Sequence, residues 1–141
     1  MEPTRRPVAV LLLVAASVLA LGGCGGDRAP WDDAAPVRDG DTVAVGERIV
    51  LLVGENQSVG DRISVVREPD PGVLRPVGSG IHRERKDEEL LGVGHQRWYA
   101  FEAVGTGTGE LVLFNCWRCD PEQPNDDPQT REIALVVQVE D

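Results

Sequence analysis

Arg131-Glu132-Ile133-Ala134-Leu135-Val136-Val137-Gln138-Val139-Glu140 carries the clearest period-two pattern in the chain. In an extended backbone Ile133, Leu135, Val137 and Val139 point one way and Ala134, Val136, Gln138 and Glu140 the other. A strand with one face in a core requires that alternation. Working outward, residues 116–129 form an acidic, proline-bearing loop (Pro121, Pro124, Pro128), and Leu111–Phe114 before it is an apolar run bounded by turn residues. Further strands are expected at Thr42–Val45, Arg48–Val53, Arg62–Arg67 and Arg97–Val104, the last with Tyr99, Phe101 and Ala103 on one face. Val73–Val77 reads as a weak strand held to a sheet edge by Pro76. Arg83–Glu89 is a charge run without an apolar face, expected as exposed strand or loop. About seven short strands separated by glycine and proline turns imply an all-β, immunoglobulin-like β-sandwich over residues 41–141. No βαβ alternation and no internal repeat interrupts that reading.

The amino-terminal part follows different rules. Arg5 and Arg6 precede an apolar run from Val8 to Leu21, which is shorter than the ~20 residues a spanning helix needs and suits the core of a secretory signal. Leu21-Gly22-Gly23-Cys24 follows it. This stretch resembles the bacterial lipobox, and the resemblance implies removal of residues 1–23 and acylation (palmitate among the chains) of Cys24. Two or more acyl chains anchor a protein stably where one does not. The expected location is therefore the extracytoplasmic face of a membrane, with the protein held by lipid at Cys24. Residues 24–40 read as lipidated cysteine and linker, and Trp31 as a solvated linker residue. As a flexible coil that linker would span roughly 20–25 Å.

Formal charge is −10 for the 141 residues, and one unit more negative without residues 1–23. An acidic surface has no basic face to neutralise phosphates, so no nucleic-acid partner is expected. Neither the two histidines nor any acid pair sits in a catalytic pattern. Gly92-Val93-Gly94 lacks the third glycine of a dinucleotide fingerprint, and Gly78-Ser79-Gly80 lacks the spacing of a nucleophile elbow. We therefore expect no enzyme and no cofactor. Cys116 and Cys119 are spaced Cys-x-x-Cys in a chain read as exported, so a structural disulfide is expected. A zinc site adding His82 and His95 has suitable ligand types, but only the cysteine pair has local spacing, and no metal is expected. Redox chemistry would need a helix after the pair, where Asp120-Pro121-Glu122 stands instead.

A family resemblance rests on the loops. Leu52-Val53-Gly54-Glu55-Asn56 ends a strand, Ser58-Val59-Gly60 turns, and Gly92-Val93-Gly94 precedes an aromatic strand. Leu111-Val112-Leu113 then leads to a loop with Trp117. From Val43 to Val139 this resembles the chagasin-type inhibitors of papain-like cysteine proteases. The resemblance implies a sandwich whose three loops at one end wedge reversibly into the protease cleft. It carries that role to Asn56, Gln57, Ser58, Val59 and Gly60, with Gly92, Gly94, His95, Trp117 and Arg118 flanking. The departures are specific. Asn56-Gln57-Ser58-Val59-Gly60-Asp61 lacks the proline and the aromatic of the family's Asn-Pro-Thr-Thr-Gly-aromatic loop. Gly92-Val93-Gly94-His95 lacks the last glycine of Gly-x-Gly-Gly, and Cys116-Trp117-Arg118-Cys119 has tryptophan and arginine in another order than Arg-Pro-Trp. Two partners follow: a papain-like protease met by a monomer, or another surface protein met by a non-inhibitory adaptor domain.

The anchoring expectation is directly testable. Cys24→Ala should leave the protein unprocessed or released from membranes. Processed Cys24→Ala protein that still partitions into the detergent phase would contradict it.

Overall fold

A computed structural model describes residues 29–141, so Cys24 and the expected signal segment lie outside the described residues. Eight strands follow in order: β1 (Ala35–Val37), β2 (Thr42–Ala44), β3 (Arg48–Glu55), β4 (Ile63–Arg67), β5 (Leu74–His82), β6 (His95–Ala103), β7 (Gly107–Asn115) and β8 (Arg131–Glu140). They form two four-stranded sheets, ordered β1-β3-β6-β5 and β2-β8-β7-β4. The first pairs β1 with β3 in parallel and the second β2 with β8 in parallel, and all other pairings are antiparallel. Among the described residues there is no α-helix, only a 3-10 turn at Arg85–Asp87. This is the expected immunoglobulin-like sandwich.

The core is the inward half of each alternation. Ile49 and Leu51 of β3 lie opposite Phe101 and Tyr99 of β6. Leu111 and Leu113 of β7 meet Val137 and Val139 of β8 within the same buried cluster, which Leu74, Ile63 and Val43 complete. Burying side chains of this size contributes ~1.5–3 kcal/mol each. One close approach between the sheets depends on glycine: a Cβ at Gly109 would lie 2.2 Å from Leu74 Cδ1 and 2.6 Å from its Cγ.

Several boundaries differ from the sequence reading. Ala35–Val37, inside the expected linker, pairs with Ile49–Leu51 as β1. Three residues carry too little pattern to announce a strand. Trp31 is half-buried rather than solvated, because the rings of His82 and Trp98 are there to pack against. β5 extends well past Val77, and Pro76 is accommodated at this sheet edge by a register shift between Pro76 and Gly78. β7 begins at Gly107, four residues before the apolar run Leu111–Phe114.

β3, β5 and β7 all run toward one end of the sandwich. Register places Glu55 opposite His95, His82 opposite Gln96, and Asn115 opposite both Ile63 and Arg131. The connections 56–62, 83–94 and 116–130 therefore open side by side. Gly109→Ala should destabilise the fold by about 1–3 kcal/mol through overpacking on Leu74, measured by urea denaturation. An unchanged midpoint would show that the sheets are not in contact there.

Candidate functional site

Beneath the three loops sits a buried carboxylate. Glu55 occupies the last inward position of β3, in phase with Ile49 and Leu51, and its side chain is fully buried. Its Oε2 accepts from Arg97 Nε at 2.7 Å and lies 2.5 Å from His95 Nε2. Its Oε1 accepts the Ile63 backbone N–H at 2.6 Å. The first two partners are on β6 and the third begins β4, so one side chain ties both sheets together at the loop end. Burial pushes the Glu55 carboxyl up. The Arg97, Ile63 and His95 hydrogen bonds and the Arg97 charge outweigh it and hold the group below the usual carboxylate range. For Arg97 burial acts against the charge and Glu55 restores it, so the guanidinium is held above its ordinary value. Burial pushes the neighbouring Tyr99 phenol up.

Above this base, side-chain amides stitch the loops together. Asn56 donates from Nδ2 to the Gly92 carbonyl at 3.0 Å, joining the first loop to the second. Its Oδ1 accepts the Ser58 N–H at 3.0 Å, and Asp61 closes the loop by accepting the Asn56 N–H at 3.1 Å. Asn115 accepts the Arg62 N–H at 2.9 Å, and its Nδ2 reaches Asp61 at 3.0 Å and the Gln129 carbonyl at 3.2 Å. Arg118 joins the third loop to the first, its backbone N–H on the Gly60 carbonyl at 2.9 Å and its Nε on the Val59 carbonyl at 3.0 Å.

Two glycines fit this stitching for different reasons. Gly60 has φ +122°, and a Cβ there would lie 2.4 Å from Arg118 Cγ. Gly94 lets the second loop cross the end of β3, since a Cβ would lie 2.9 Å from the Glu55 carbonyl. Cys116 and Cys119 form the expected disulfide, bracketing Arg118, which holds φ +49°. The two sulfurs therefore bond each other, not a metal. Arg118 also lies over the Trp117 ring at 4.3 Å, and Trp117 is half-buried.

The loop end thus brings together every residue singled out from the sequence there, but not with equal access. Gln57, Ser58, Val59, Gly92 and Arg118 are exposed, Asn56, Gly60, Gly94 and Trp117 are half-buried, and His95 is buried. His95 sits inward on β6 with its ring nitrogen on Glu55, so its side chain is buried beneath the loops rather than displayed at their tips. Sequence reasoning missed Glu55, Asp61, Arg97 and Asn115. The signal for Glu55 was available: a carboxylate continues the inward phase of Ile49 and Leu51. It also missed Leu90 and Leu91 at the tip of the second loop, the latter fully exposed.

The profile of the chagasin family of peptidase inhibitors matches residues 42–133. The chain belongs to that family. A crystal structure of a cysteine protease inhibitor from Entamoeba histolytica superposes with a TM-score of 0.51 at 15% identity, over 77% of this chain and 89% of that one. The solution structure of Amebosin aligns over 77% and 92% of the two chains at 21% identity, with a TM-score of 0.48. Among curated proteins none matches by sequence. The chagasin-family match spans β2 to the start of β8 and so contains all three loops.

Glu55→Gln should lower stability by about 2–4 kcal/mol at neutral pH by leaving Arg97 without its counter-charge. The folded pKa of Glu55 lies below the unfolded one. Its contribution is therefore complete above the ordinary carboxylate range and is lost as pH falls through the folded value. Urea denaturation of both proteins across that range should show the gap closing in acid. A gap independent of pH would contradict the charge-based account.

Proposed function

We propose that this chagasin-family chain is a reversible inhibitor of papain-like cysteine proteases, anchored by lipid at Cys24 to the extracytoplasmic face of a membrane. The observation that carries the reading is the convergence of loops 56–62, 83–94 and 116–130 at one end, cross-linked by Asn56, Asn115 and Arg118. A narrow cleft excludes bulky side chains, and glycine-bearing tips offer backbone N–H and C=O groups to it. Gln57, Ser58 and Val59 enter the cleft in this reading, shaped by Asn56 and Gly60. Gly92, Gly94 and the exposed Leu91 flank on one side, and Trp117 with Arg118 on the other. The hydrogen bonds among the loops are made before any partner arrives, which reduces the entropy lost on docking.

The missing proline and aromatic of the first loop favour one second reading, a surface adaptor that binds another protein through the same end. In Arg118 a further family feature is turned inward, onto the carbonyls of Val59 and Gly60.

Titrating papain with the folded chain separates the two. The inhibitor reading expects loss of activity that is reversed on dilution, with the chain left uncleaved. Gly60→Val should weaken that inhibition by about one to a few kcal/mol, because a β-branched residue at this positive φ displaces the first loop from Arg118. A folded chain that inhibits no papain-like protease would leave only the adaptor.

A further inference from the structure

The segment before β2 lies outside the residues that match the family, and it is not slack. Ala29 and Trp31 line a groove of about 680 Å³ with His82, Arg83, Asp87 and Gly94, that is, beside the second loop. The Trp31 ring meets His82 edge-on at 5.1 Å and lies tilted against Trp98 at 5.9 Å. Trp98 in turn rests against Gly78 and Gly80 of β5, where a Cβ would come within 3.2 Å and 3.0 Å of the indole. From Trp31 the chain turns back toward the opposite end. Asp33 pairs with Arg48 at the start of β3, and Ala35 then begins β1 opposite Ile49. The described chain therefore enters the sandwich at its loop end, although its first strand begins near the other end.

We propose that this strap, pinned by Trp31, makes the tether leave beside the second loop and so holds the loop end toward the membrane, where the anchor limits access to it. The inference rests on the proposed acylation of Cys24. Four residues separate Cys24 from Ala29, and the five steps between the two reach at most about 18 Å. A papain-sized globule has a radius of gyration of about 17 Å, so it cannot enter such a gap from below. A globular protease therefore reaches the loop end only when the domain tilts on its tether or is released from it. Without the Trp31 contact the first fixed point becomes β1, and the attachment moves to the far end.

The test places a fluorophore at the loop end through Leu91→Cys, or at the opposite turn through Thr106→Cys, in the full lipidated chain. Each protein is bound to phosphatidylcholine vesicles carrying a headgroup quencher. The proposal expects severalfold stronger quenching at position 91 than at 106. Trp31→Ala, or a glycine-serine insertion between Asp27 and Arg28 that leaves the fold untouched, should shrink that difference. Equal quenching, stronger quenching at 106, or a difference unmoved by the insertion would overturn the proposal while leaving the anchor intact. A chain that fails to sediment with the vesicles would overturn the anchor itself, and this inference with it.

Discussion

A carboxylate is taken fully out of water at the inner end of β3, and that is tolerable only because three donors from two other strands meet it. An unpaired carboxylate there would carry a desolvation penalty of several kcal/mol. Arg97, His95 and the Ile63 N–H must therefore converge on Glu55 whenever the chain is folded. That requirement fixes the distance between β3 and β6 at the loop end and the approach of β4 from the other sheet. It acts where the hydrophobic core gives way to buried polar groups, since β3 ends on Glu55 and the inward positions of β6 before Tyr99 are Arg97 and His95. The rest of the loop end is built outward from this point: Asn56 follows Glu55 directly, Gly94 precedes His95, and Asn115 faces Ile63 across the second sheet.

The consequence is a loop end whose geometry is set in the free protein. Backbone groups at a loop tip contribute to affinity only if they need not be ordered at the moment of contact. The first loop is closed by Asp61, tied to the second by Asn56 and to the third by Arg118. The Cys116–Cys119 bridge closes so short a segment that its stabilisation falls below the typical ~2–4 kcal/mol. Its effect is local, on the turn that aims Arg118 at Val59 and Gly60. Arg118 thus braces the first loop while itself remaining exposed.

Much of the architecture was legible because it follows from alternation. The period of two in β8 and the aromatic phase of β6 placed the core, and the glycine and proline turns placed the loops. The short strand β1 was not legible: Ala35-Pro36-Val37 has no pattern of its own and is a strand only because β3 offers a free edge. Trp31 looked like a linker residue because its partners, His82 and Trp98, are fifty and more positions away. His95 stands where the family's second loop has its last glycine, and the resemblance carried it over as a loop contact. The inward phase of β6, together with an acid at the matching position of β3, buries it instead. The disulfide was legible because two cysteines three residues apart, in a chain read as exported, have few other options.

The central claim is that one end of this sandwich, held rigid from beneath, is the surface that meets a protease. Amide hydrogen exchange of the chain with and without one equivalent of papain tests it most directly. The account predicts added protection in residues 56–62, 83–94 and 116–130, and none at the turn 104–106. Protection at the opposite turns, or no change in the three loops when complex is formed, would contradict it.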